Sequence, residues 1–152
     1  MFLTPEFEAS LHKVKFERLT TQKCLDDHQI AKDIKRTKTA PNLSDSSTHL
    51  YREAVRAVLT AYSNHSPSIG YVQGMNMSVS AILYNICTSF DKIPAFQEDA
   101  FKLFVAIMEY TQVGEYYKGN MEGIKGLINE LKERIQTALP DVYWHFIFTD
   151  VG

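Results

Sequence analysis

Apolar residues recur along this chain at three- and four-residue intervals with polar residues between them, the pattern of helices packed by one face. The clearest row is Met121, Ile124, Leu127, Ile128, Leu131, Ile135 and Leu139, which predicts a helix over 121–139 ended by Pro140. Leu50, Ala54, Val58 and Ala61 predict another over 48–64, with Asp45, Ser46 or Ser47 as its N-cap. Val79, Ile82, Leu83 and Ile86 predict one over 76–88, broken by Asp91-Lys92-Ile93-Pro94. Phe101, Phe104, Val105 and Met108 predict one over 97–110. Phe7, Leu11, Val14 and Leu19 mark a stripe over 6–20, and Asp26-Asp27 can cap a short helix over 28–37. Residues 37–48 are rich in Lys, Thr, Ser, Asn and Pro and read as an exposed loop. Residues 114–119 form a break whose Tyr116-Tyr117 is expected to pack sideways onto the bundle, and 141–148 begin a further element. No stretch alternates with period two over a strand's length, and no repeat of fixed period occurs. The expected fold class is all-α, helices joined by short turns.

Composition narrows the function classes. The 152 residues match one domain, and 45% hydrophobic with 22% charged residues is ordinary for a globular chain. A net charge of −2 argues against a nucleic-acid binder, which is normally basic over a whole face. Cys24 and Cys87 are far apart in no metal or redox spacing, and both read as small buried hydrophobes. The first residues carry no secretory pattern, and no run reaches the length of a membrane span, so a reducing, cytoplasmic compartment is expected. Neither phosphate-cradling glycine motif is present. His12, His28, His49, His65 and His145 share no ligand spacing, and no metal site is expected. Glu98-Asp99 reads as helix N-terminal charge, and the interleaved basic residues between Lys13 and Lys38 read as a solvated face.

Two segments carry chemistry. One is Ile30-x-x-Asp33-x-x-Arg36-Thr37, in which Ile30 and Asp33 share a helical face and Arg36 stands where helix gives way to loop. Taken alone, Asp33 and Arg36 read as a surface ion pair worth about 0–1 kcal/mol. The other is Gly70-Tyr71-Val72-Gln73-Gly74-Met75-Asn76, where two glycines bracket a Tyr-x-Gln ahead of a helix. Taken alone, it reads as a helix–helix turn whose Gln caps an end.

In order along the chain, these residues resemble the TBC domain, the GTPase-activating module for Rab-type small GTPases. The first segment is similar to that family's arginine-finger motif and the second to its glutamine-finger motif. The likeness continues through Val58-Leu59-x-Ala61-Tyr62, Pro67-x-x-Gly70-Tyr71, Glu98-Asp99-Ala100-Phe101, Met108, Tyr116-Tyr117 and Leu139-Pro140, over roughly 25–150. The family's early Arg-x-x-x-Trp segment has no counterpart; Trp144 is the sole tryptophan. An aromatic before Pro41 is also missing.

The resemblance implies a multi-helix orthogonal array like the N-terminal half of a TBC domain. It divides the chain into a helical lead-in, 1–24, and a partial domain, 25–152, whose C-terminal half is expected to be missing. It implies that Arg36 and Gln73 are catalytic in trans. Ile30, Asp33, Thr37, Gly70, Tyr71, Gly74 and Asn76 are implied to support them, Asn76 as a lesser candidate. The implied partner is a Rab-type small GTPase in its GTP-bound state, which brings the GTP and Mg²⁺. The chain itself then needs no cofactor and has no enzymatic activity of its own. Vesicle trafficking is the implied setting, in the cytoplasm with peripheral recruitment to endomembranes and no membrane insertion. The alternative is a non-catalytic GTPase-binding or scaffold module in membrane trafficking, a truncated TBC domain that binds a GTPase or another partner through the same surface.

Overall fold

Ser44 opens a helix against which four other helices pack. The computed structural model describes residues 16–37 and 44–149, without the side chains of 90, 91 and 120. Ser44 Oγ accepts the Ser47 N–H at 3.2 Å, a cap worth about 1 kcal/mol. The cap is one residue ahead of the three expected candidates. It starts a helix, Asp45–His65, whose buried face runs through Tyr51, Ala54, Val55, Val58, Leu59 and Tyr62. Leu50, expected on that face, is 39% exposed. The stripe is phased one residue later because Tyr51 is the larger group and has a partner inside, its hydroxyl bonding to Ser80.

The described residues hold seven α-helices, two 3₁₀ turns and no strand, in keeping with the all-α expectation. In chain order the helices are α1 (Phe16–Thr21), α2 (Asp27–Arg36), α3 (Asp45–His65), α4 (Met75–Ile86), α5 (Gln97–Tyr110), α6 (Lys118–Ala138) and α7 (Pro140–Phe148). The 3₁₀ turns are Phe90–Phe96 and Val113–Tyr117. They fall into two compact units that divide at Val113/Gly114.

In the first unit α3 packs against α1, α2, α4, α5 and the Phe90–Phe96 turn. Phe101, Phe104, Val105 and Met108 of α5 are buried as expected, and so are Val79, Ile82 and Leu83 of α4. Ile86 is half-buried. Tyr62 meets Phe104 edge-on at 4.8 Å, and Phe16 of α1 tilts onto Phe101 at 5.5 Å. Asn64 Nδ2 donates to the Leu19 carbonyl at 2.8 Å and closes the end of α1. Both cysteines are half-buried rather than fully enclosed. The expected stripe over 6–20 lies outside the described residues up to position 15.

In the second unit α6 packs against α7, and Pro140 occupies the first turn of α7, where its lack of an N–H costs nothing. The preceding turn folds back on α6: a Cβ on Gly123 would stand 2.9 Å from the Tyr116 Cα. The predicted apolar row is present, but Met121, Leu127, Ile128 and Leu131 are exposed, as are Trp144, Phe146, Ile147 and Phe148 of α7. Among the described residues no helix is long and apolar enough to cross a membrane.

Candidate functional site

The site lies in the first unit, where the end of α2 meets the turn that opens α4. Ile30 and Ile34 bury one face of α2, which packs on α3. That anchoring carries Asp33 inward as well, to 0% exposure. A carboxylate taken out of water must be matched by donors. Asp33 has four donor contacts. Arg36 Nε and Nη2 reach its Oδ1 at 3.0 and 2.6 Å; Tyr71 Oη and Gln29 Nε2 reach its Oδ2 at 2.8 and 3.2 Å.

These contacts set the protonation states. Burial pushes the Asp33 carboxyl up, but the hydrogen bonds from Tyr71, Arg36 and Gln29, with the Arg36 charge, outweigh it and hold Asp33 below the ordinary carboxylate range. Tyr71 is pushed well above the ordinary phenol range, first by burial and then by its bond to Asp33 and that group's negative charge. The pair is therefore carboxylate and neutral phenol, with the phenol donating.

The network continues into the turn. Thr37 Oγ1 donates to the Asp33 carbonyl at 2.8 Å and accepts Asn76 Nδ2 at 2.7 Å. Asn76 Oδ1 in turn accepts the Gly74 N–H at 3.1 Å, with Tyr71 Oη 3.3 Å away. The Gly74 donor fixes which way the amide faces. Asn76, given a lesser role by sequence, thus joins the last residue of the first motif to the turn of the second. Thr37 and Asn76 are both buried.

The Met75 N–H donates to the Val72 carbonyl at 3.1 Å, so Gln73 and Gly74 are the central residues of a tight turn. Gly74 has φ +106°, a conformation side chains disfavour, and a Cβ there would touch nothing within 4 Å. Its requirement is one of backbone alone. Gly70 has φ +66°, and a Cβ there would stand 2.8 Å from Asp26 Oδ2. Asp26 was expected to cap α2 by its side chain. It sits at the N-cap position without a side-chain cap bond, and its Oδ2 instead accepts the Tyr71 N–H and the Ser63 hydroxyl, each at 2.6 Å.

The seven residues that the resemblance implies as supports all lie at this junction. Asp33, Thr37, Tyr71, Gly74 and Asn76 are linked directly, Ile30 anchors α2, and Gly70 shapes the entry to the turn. The two end groups differ from them. Arg36 has a side chain 54% exposed and engages only Nε and Nη2, so its outer edge is without a partner among the described residues. Gln73 is exposed at the tip of its turn, and its amide makes no hydrogen bond among the described residues. The stretch from Lys38 to Pro41, directly after the first motif, lies outside the described residues. Gln29, Ser63 and the clasp made by Asp26 were not anticipated: the doublet Asp26-Asp27 was the only visible signal, and it reads locally as a cap. Among the described residues no group of His, Cys, Asp and Glu could hold a metal ion.

The model of the Rab-GTPase-TBC domain matches residues 5–151. Similar proteins include the TBC domain-containing protein C4G8.04 of Schizosaccharomyces pombe, 32% identical over 77% of this chain and 14% of that protein. TBC1 domain family member 2B of Mus musculus is 31% identical over 94% of this chain and 14% of that protein. The GTPase-activating protein GYP5 of Eremothecium gossypii is 30% identical over 78% and 12%. The matched stretch is thus between 12% and 14% of these relatives' lengths. On the match of nearly its whole length, and with that motif pair joined in one junction, the chain belongs to the Rab-GTPase-TBC domain family.

Proposed function

We propose that the chain activates a Rab-type small GTPase in its GTP-bound state, supplying Arg36 as an arginine finger and Gln73 as a glutamine finger. The observation that carries this reading is the division of the junction into a fixed interior and two free ends. Asp33, Tyr71, Asn76 and Thr37 bond one another in the interior, while the outer edge of Arg36 and the amide of Gln73 are exposed and have no partner among the described residues. A group meant to meet a partner's substrate needs a rigid base and an unoccupied head.

The residue types suit the chemistry. GTP hydrolysis develops charge on the transferred phosphoryl oxygens, and an arginine supplied in trans stabilises it by roughly 10³–10⁵ in rate. Its planar fork stays charged and offers several donors, so two can face Asp33 while others face phosphate. The Gln73 amide both donates and accepts, as alignment of an attacking water requires. GTP and Mg²⁺ belong to the partner in this reading, and the chain contributes side chains only. Family membership supports it, as does the description of relatives as GTPase-activating proteins.

The test is single-turnover GTP hydrolysis by a panel of Rab-type GTPases with the intact chain, Arg36→Ala and Gln73→Ala. Acceleration of one member, abolished by either substitution, is the expected result. A second reading, binding without activation, is favoured by the exposed apolar rows of α6 and α7, which suit a protein surface. Binding with no acceleration, indifferent to both substitutions, would support that second reading and reject the first.

A further inference from the structure

The start of α2 holds the turn as firmly as its end does. Asp26 and Asp33 are seven residues apart, two helical turns, or about 10 Å along the axis. Both take Tyr71: Asp26 Oδ2 accepts its backbone N–H at 2.6 Å and Asp33 Oδ2 accepts its phenol at 2.8 Å. One helix therefore grips one residue at two points, which fixes both the position and the direction of the chain entering the turn. Gln73 follows two residues later, and Arg36 is the last residue of the same helix. Asp26 is further tied to α3, since Ser63 donates to the same oxygen at 2.6 Å and accepts from Cys24 Sγ at 3.4 Å. The turn makes room for this grip: a Cβ at position 70 would stand 2.8 Å from that oxygen and force Asp26 to shift.

We propose that Asp26 is a positioning residue for Gln73, registering the Gln73 turn against the helix that carries Arg36. The proposal rests on the reading of Arg36 and Gln73 as fingers. Asp26 touches no reacting group and acts through Tyr71. Its absence need not unfold the chain, because Asp26 is half-buried and borders an open cavity of about 400 Å³ lined also by Leu25, Ser63, Asn64, Ile69 and Gly70. Water there can take over the freed donors.

The experiment is a double-mutant cycle in single-turnover hydrolysis with the full chain and a responsive Rab-type GTPase. Because a displacement of about 1 Å at a catalytic group can cost roughly 100-fold, Asp26→Ala is expected to slow the activated step roughly tenfold or more. Its dissociation constant for the GTP-bound partner should change less than about threefold, since the grip bears on the position of one amide. Asp26→Ala/Gln73→Ala should be no slower than Gln73→Ala alone, and an Asp26→Ala chain that keeps its helical content and its affinity for the GTP-bound partner separates misplacement of Gln73 from general loss of structure. The Tyr71 amide should exchange its hydrogen about ten times faster in Asp26→Ala. If Asp26→Ala does not fold, Asp26→Asn carries the same cycle. It keeps an oxygen for the Tyr71 N–H but loses the charge-assisted bond, for an expected loss of about threefold. An unchanged rate in a folded Asp26 variant, or an Asp26→Ala loss that lies in the dissociation constant rather than in the rate of the bound complex, overturns the positioning role while leaving the fingers intact. Gln73→Ala without effect on hydrolysis overturns the finger reading, and the positioning role with it.

Discussion

Tyr71→Phe removes one oxygen and isolates the contribution of the buried junction. The phenol gives Asp33 one of its four donor contacts, at 2.8 Å, with Asp33 fully buried and Tyr71 8% exposed. A hydrogen bond to a charged acceptor contributes about 1.5–3 kcal/mol, so Tyr71→Phe should lose about that much at neutral pH. For a chain of this size the loss corresponds to a fall in Tm of roughly 4–10 °C.

The pH dependence makes the prediction specific. Asp33 has a folded-state pKa held below its unfolded value, with Tyr71 the leading favourable contact, so it contributes stability above the unfolded carboxylate pKa. That contribution is lost as pH falls through the folded pKa. Without the phenol the depression is smaller, and the stabilisation lost at neutral pH is already partly absent at low pH. The gap between intact chain and variant should therefore narrow towards about 1 kcal/mol, the value of a neutral pair, as the pH falls below the ordinary carboxylate range. Urea unfolding between neutral and acidic pH measures it. A gap below about 0.5 kcal/mol at neutral pH, or one that does not change with pH, would refute the account of Asp33 as a carboxylate held by its donors.

Two further predictions follow from the turn and from Arg36. Gly70→Ala and Gly74→Ala each place a side chain at positive φ and should each cost about 1–3 kcal/mol in denaturant unfolding, but only the first also displaces Asp26. In an Asp26→Ala background the Gly70→Ala cost should drop by about 1 kcal/mol while the Gly74→Ala cost stays; equal behaviour of the two refutes the close approach. Arg36→Lys keeps the charge but loses the fork that serves Asp33 and an outside phosphate together. It should forfeit most of the roughly 10³–10⁵ activation in single-turnover hydrolysis, and a rate within threefold of the intact chain would argue against the finger role.

Local chemistry determined much of this protein from its sequence. The helix Gln97–Tyr110 has the predicted limits, because its apolar period and its acidic first turn act within the helix. Pro140 separates α6 from α7 for the equally local reason that it has no N–H to continue a helix. The two motifs were readable as residue types at short spacing, and Arg36 at a helix end followed from the change in composition after it. Tertiary structure decided the rest. Whether Leu50 or Tyr51 faces inward depends on what α3 meets, and a period of 3.6 residues tolerates both. Asn76 bonds Thr37 across 39 residues and Asp26 bonds Tyr71 across 45, and no spacing rule anticipates either pairing. A short-range pattern can say that Asp26 is able to cap a helix. Only the fold brings a backbone N–H and a serine hydroxyl within 2.6 Å of the same oxygen, and those two donors take the place of the cap.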